Sequence, residues 1–205
     1  MQAKVTFHKD DIDGDVQFSN LIAADCEMMG LQPKRDPLCL IQLYDTEGDC
    51  HLVHFTNKDY SAPNLKKILS SDATFIFHYG RHDMAAIYHD LNIMLKNVYC
   101  TKIASKIART YSQAHGYRDL CKELLKIEIS KKQQSSDWSN PNLSEEQINY
   151  AANDVMHLHE IKSKLDEILK RQNRMSLAQS CFSFLQTRVE LDLRGWENDI
   201  FAHSS

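Results

Sequence analysis

Short apolar runs punctuate the first half of the chain. Residues 21–27 (LIAADCE), 38–45 (LCLIQLYD), 49–55 (DCHLVHF) and 74–79 (TFIFHY) are rich in aliphatic, β-branched and aromatic side chains, and NVYCT at 97–101 is a shorter run of the same kind. Runs of this length predict five strands. Only TEG separates the second from the third, a spacing that predicts an antiparallel hairpin. Helical patterns then intervene, with APNLKKILSS before the fourth strand, RHDMAAIYHDLN after it, and KIASKIARTY and YRDLCKELL after the fifth. A meander followed by helix-linked strands predicts an α/β fold, a mixed five-stranded sheet flanked by helices.

From Pro141 the pattern becomes helical. NLSEEQINYAANDVMHLHEIKSKLDEILKRQ sets Ile148, Ala151, Val155, Leu158 and Ile161 at three- and four-residue steps, a stripe that faces a core. Ser144, with a glutamate about three residues inside, predicts the N-terminal cap. The preceding KIEISKKQQSSDWSNP is polar and aperiodic, and predicts a long loop of the kind that often serves function. No repeat, low-complexity tract or linker divides residues 1–205, which read as a single domain.

Composition narrows the class. A chain of 205 residues can bury a core without disulfides, and its six scattered cysteines, with no CxxC pair, predict reduced core thiols and no zinc site. There is no apolar run of membrane-spanning length and no signal-peptide core in MQAKVTFHKDDIDGD, so the expectation is a soluble cytoplasmic protein with no membrane partner. A formal net charge of −4 argues against tight nonspecific binding of long nucleic acid and leaves a short anionic substrate open.

The acids change the picture most. Asp25 and Glu27, two apart on the first strand, share a face and repel each other unless neutralised; if the strand stopped at Ala24 they would be solvated loop residues. Asp83 follows the fourth strand at the opening of a helix, where a carboxylate also serves as a cap. Tyr150 and Asp154, four apart, share a helix face beside the apolar stripe. Singly, each has a structural explanation. Together they bring four carboxylates from separate elements to one sheet edge, which suits two hard divalent cations, Mg²⁺ or Mn²⁺, of the kind that clamp both oxygens of a phosphodiester displacement.

This set resembles the DEDD 3′-to-5′ exonucleases of the ribonuclease H-like fold, in the tyrosine branch that includes ribonuclease D. The sister branch carries histidine five before the last Asp, where this chain has Asn149. The resemblance implies Asp25, Glu27, Asp83 and Asp154 as metal-binding acids, Asp25 bridging, and Tyr150 as the residue that orients the attacking water. DCEMMGLQPKRD, CTKIASKIARTY, SKKQQSSDW, YAANDV, LDLRGW and DIFAHS further resemble the compact nano-RNase C group across nearly the whole chain. That resemblance implies one exonuclease domain over residues 1–205, degradation of short oligoribonucleotides including dinucleotides to nucleoside 5′-monophosphates, and a ring-like homo-oligomer, an octamer. Trimming of longer RNA 3′ ends or of DNA would use the same acids and stays open. A non-catalytic binding protein on this fold predicts at least one lost acid, and none is lost.

Substrate contacts are fewer. By the resemblance, Leu31 after Gly30 is an apolar wedge between terminal bases, with Met29 beside it; taken alone, such a leucine is a strand-end or core residue. His78, Tyr79 and Arg81 flank Asp83 as candidates for phosphate or base contact, His78 being equally a partner for a backbone carbonyl. Lys102, Lys106 and Arg109, at steps of four and three, form either a phosphate-facing or a merely solvated stripe. Trp138, with Lys131, Lys132 and Gln134, either shapes the pocket or anchors its loop. DIDGD at 11–15 lacks the glycine and final acid of a calcium loop, and His157 and His159, two apart on a helix, point in different directions.

Overall fold

The structure, a computed structural model, describes residues 4–46, 48–129, 136–196, 198 and 200–203. Among the described residues six strands form one sheet: β1 (Val5–Lys9), β2 (Leu21–Met28), β3 (Leu38–Tyr44), β4 (Cys50–His54), β5 (Thr74–Phe77) and β6 (Asn97–Cys100), in the order β1-β4-β3-β2-β5-β6. The meander β2-β3-β4 is antiparallel as the short TEG connection predicts, while β1 lies parallel to β4, β5 to β2 and β6 to β5. The mixed sheet is therefore present with one strand more than the five predicted. The extra strand, VTFHK, sits at an edge with a single neighbour and buries only His8 fully, so it lacks the apolar run that marks the inner strands. β3, by contrast, is an inner strand between β4 and β2 with the helix Glu145–Met156 packed on it, and is buried at every position but its last.

The helices are α1 (Pro63–Leu69), α2 (Arg81–Ala86, continued by a π-helical turn at Ile87–Leu91), α3 (Thr101–Ala108), α4 (Tyr117–Leu120, continued by a π-helical turn at Cys121–Leu125), α5 (Glu145–Met156), α6 (Leu158–Arg171) and α7 (Met175–Arg194). α5 lies across β2, β3 and β4; α6 packs on β5 and α3; α7 packs on α2, β6 and α3. The helical run predicted from Pro141 divides at His157, the C-cap of α5. Ser144 does cap α5, but its partner in the capping box is Gln147: Ser144 Oγ accepts from the Gln147 amide at 3.3 Å and Gln147 Oε1 accepts from the Ser144 amide at 3.0 Å. DIDGD has a structural duty, since the Asp11 carboxylate accepts from the amides of Asn64 and Leu65 at 3.0 and 2.9 Å and caps α1. Among the described residues no helix is long and apolar enough to cross a membrane.

Candidate active site

β2 carries the first acids. The strand continues past Ala24 to Met28, with Asp25 opposite Gln42 and Glu27 opposite Leu40 on β3, so both acids stand on one face of the sheet. On the other side the β5 ladder covers only Leu21–Ala23. Asp83, in the first turn of α2, takes over where β5 stops, and its Oδ1 accepts the Cys26 amide at 3.0 Å. α5, crossing the same sheet, delivers Tyr150 and Asp154. Oxygens of Asp25, Glu27 and Asp154 lie within 4.8 Å of one another. Tyr150 stands beside Asp154, near enough for its hydroxyl to lower the pKa of that carboxyl, and the Trp138 ring backs it at 6.1 Å between centroids.

Crowding shows in the acidities. Burial, then repulsion from Asp83, Asp154 and Glu27, pushes Asp25 well above the ordinary carboxylate range. Burial followed by Asp154 and Asp83 raises Glu27 to about 9. Burial raises Asp83 to about 7 and Asp154 to about 6, in the latter case against the Tyr150 hydroxyl and the nearby Arg118. Such mutual repulsion among hard oxygen donors fits divalent cations of the Mg²⁺ or Mn²⁺ class.

A cavity of about 790 Å³ opens over the cluster. Met29 and Leu31 line it while remaining 44% and 71% exposed. Their lip leaves the ladder at a register shift between Glu27 and Met28 and is closed by Asp36, whose Oδ2 accepts from the Gln32 amide at 3.1 Å while Arg35 grips both carboxylate oxygens. A Cβ at Gly30 would come within 2.2 Å of that Oδ2, so any larger residue there would have to displace the Asp36 carboxylate. His78, Tyr79, Lys102, Tyr117 and Arg118 also line the cavity. His78 Nδ1 lies 2.9 Å from Thr101 Oγ1, which donates to the Phe77 carbonyl at 3.1 Å, so Nδ1 is the donor and Nε2 is left as an acceptor. Burial, reinforced by Lys102, depresses His78 to about 3 and keeps the ring neutral.

Other candidates are placed elsewhere. Arg81 turns to Asp192 on α7, with donor distances of 2.5 and 2.6 Å, and is absent from the cavity wall. Arg109 is fully buried at the C-cap of α3, where it binds Ser105, the Ala114 carbonyl and Glu123; it is not phosphate-facing, because the helix has ended and the side chain no longer follows the stripe. Trp138 is 1% exposed, with its carbonyl taken by His54, so it anchors its loop and walls the cavity at once. Lys131, Lys132 and Gln134 lie outside the described residues. His159 bonds the Leu21 carbonyl at 3.0 Å. His82, Tyr117 and Arg118 line the cavity too, but in sequence they carry no signal, since they open the short helices α2 and α4 and belong to no spaced motif.

Residues 10–170 match the sequence model of the 3′-5′ exonuclease family. The chain belongs to that family. Among relatives of this exonuclease, ribonuclease D of Gluconacetobacter diazotrophicus is 34% identical over 165 residues, 80% of this chain and 42% of that protein. The chain spans about two fifths of the length of the curated ribonuclease D relatives it matches. The structure of Brucella melitensis NrnC bound to pGG superposes with a TM-score of 0.94 at 45% identity, over 99% of this chain and 100% of that one. Brucella melitensis NrnC with bound Mg²⁺ gives 0.92 at 44%, over 98% and 100%. The chain is thus a ribonuclease D-like member of the 3′-5′ exonuclease family, of the DEDD type, and it shares its whole fold with NrnC, the nano-RNase C.

Proposed function

We propose that the chain is a 3′-to-5′ exoribonuclease that degrades short oligoribonucleotides, dinucleotides included, to nucleoside 5′-monophosphates with two divalent cations, Mg²⁺ or Mn²⁺. The observation that carries this reading is the meeting of Asp25, Glu27 and Asp154 oxygens within 4.8 Å, at a cavity whose lip presents Leu31. The cavity volume lies in the range of small-ligand sites, roughly 300–1,000 Å³, and the net charge of −4 disfavours a substrate with many phosphates. The likeness to NrnC bound to pGG supports the same substrate class.

In this reading Asp25, Glu27, Asp83 and Asp154 would hold the cations. When bound, these supply Lewis acidity that offsets charge on the scissile phosphate and brings hydrolysis into the neutral range. Tyr150 orients the attacking water, its ring steadied by the Trp138 ring. Leu31 and Met29 press on base faces, a contact that tolerates any base. Lys102 and Arg118 draw phosphate into the cavity, and His78 Nε2 accepts from a sugar hydroxyl. Residues 1–205 act as one cytoplasmic exonuclease domain. Exposed Trp196, Ile200 and Phe201 supply apolar surface for a homo-oligomer, an octamer; light scattering on the eluting protein should give eight times the 23.7 kDa chain mass.

The test is digestion of 5′-labelled RNAs of two, seven and about twenty nucleotides, beside Asp25→Ala. Rapid loss of the dinucleotide by the wild type alone is the expected result. Survival of the dinucleotide while longer RNAs shorten would replace this reading with ribonuclease D-like trimming.

A further inference from the structure

α7 lies beyond the residues matched by the family model, yet it reaches the helix that carries Asp83. Arg81, the first residue of α2, donates Nε and Nη2 to the two Asp192 oxygens at 2.5 and 2.6 Å. Arg188, one turn before Asp192, binds the same carboxylate and also the carbonyls of Trp196 and Asn198 beyond the end of α7. The side chains are largely shielded, with exposures of 27% for Arg81, 15% for Asp192 and 13% for Arg188. Paired donors on a partly desolvated carboxylate fix direction in a way that an exposed ion pair does not.

The turn gripped by this triad is held on the α3 side by the Thr101 hydroxyl, which bonds the Phe77 carbonyl and His78, and by Lys102 over the Tyr79 ring at 4.1 Å, whereas at the start of α2 the grip is that of Arg81. β5 ends at Phe77 and α2 starts at Arg81 without a side-chain cap. Between them Tyr79 adopts φ 69, a left-handed conformation that its side chain disfavours. Gly80 passes so close that a Cβ there would lie 2.6 Å from Phe77 Cβ. Two residues into the helix, Asp83 must still meet the Cys26 amide.

We infer that Asp192, braced by Arg188, is a positioning residue: it holds the Arg81 end of α2, and through it the Asp83 carboxylate, against the β2 edge. Arg81 acts through the helix and does not touch substrate. The consequence for catalysis rests on the exonuclease reading above; the mechanical coupling does not.

The experiment compares wild type with Asp192→Ala, Asp192→Asn and Asp192→Glu, and with Glu190→Gln on the same helix as control. Three quantities are read: hydrogen exchange at the Cys26 amide, calorimetric affinity for Mn²⁺, and kcat and KM on a dinucleotide. Asp192→Ala should speed Cys26 exchange and weaken Mn²⁺ binding by about tenfold or more, and lower kcat by about ten- to a hundredfold with little change in KM, the scale of losing an outer support of a metal ligand. Asp192→Glu should recover most of each loss, and Glu190→Gln should match wild type. Unchanged exchange and Mn²⁺ affinity in a folded Asp192→Ala protein, whatever its melting temperature, would overturn the inference; if that variant does not fold, Asp192→Asn is judged by the same two readouts. A wild type without nuclease activity would sink the functional reading and leave the exchange and affinity results to decide the coupling.

Discussion

Leu31 separates function from folding most cleanly. It is 71% exposed, so Leu31→Ala should leave stability within about 0.5 kcal/mol. Burying a leucine side chain against apolar faces is worth about 1.5–3 kcal/mol, so KM for a dinucleotide should rise roughly ten- to 150-fold at about 1.36 kcal/mol per tenfold; steady-state kinetics beside a thermal melt check both. Tyr150→Phe removes only the hydroxyl and should lower kcat by about a hundredfold, the scale of lost orientation, with KM nearly unchanged in the same assay. At this scale the acids were legible because strand and helix periods predict which residues share a face. Arg109 was not, because a periodic stripe does not announce where its helix ends: Lys106 is exposed, and Arg109, one position past α3, is buried. Arg81 was read as a substrate contact because it neighbours Asp83, whereas its partner Asp192 lies 111 positions away.

α5 matters because it brings Tyr150 and Asp154 to the sheet. Ser144→Ala deletes one half of its capping box and should cost about 1 kcal/mol, a fall in melting temperature of roughly 2–4 °C for a chain of this size, measurable by calorimetry, with activity retained well below the transition. The inner strands were visible in sequence because burial on two faces demands unbroken apolar runs, while β1 depends on backbone pairing to β4 and carries no such signal. The break between α5 and α6 was invisible for another reason: Val155, Leu158 and Ile161 stay buried on both sides of His157, so one non-helical residue leaves the apolar pattern almost in phase. The π-helical turns after α2 and α4 likewise leave no mark in a hydrophobic pattern.

For the whole molecule, the crowded acids set a pH dependence. Their folded pKa values are raised, to about 6 for Asp154, 7 for Asp83 and 9 for Glu27. The folded chain therefore binds more protons than the unfolded one between about pH 4 and 9, and stability falls as pH rises through that window. Burial lowers His51, His54 and His78 instead, so their contribution is present above the ordinary imidazole pKa of about 6.5 and is lost on acidification below it. Above pH 7 the acids slope, and towards pH 9 the thiols of Cys26, Cys39, Cys50, Cys100 and Cys121, which burial also raises, add to the fall in the same direction. The metal-free protein should thus melt at progressively lower temperature from pH 7 to 9, and Mg²⁺ should stabilise it more at pH 9 than at pH 6. Calorimetry with chelator and with excess Mg²⁺ measures this, and a metal-free melting temperature that climbs from pH 7 to 9 would contradict the repulsion account.

The short lip from Glu27 to Leu31 has one more implication. Gly30 is pressed against an Asp36 carboxylate that Arg35 and the Gln32 amide hold in place, so the distance from the acids to Leu31 is set by a few covalent links and a pinned turn. If Leu31 parts the last two bases, that span is a ruler laid from the chain end. Whatever the length of RNA behind it, each stroke then measures off a single nucleotide, and a dinucleotide is the shortest piece that reaches both marks.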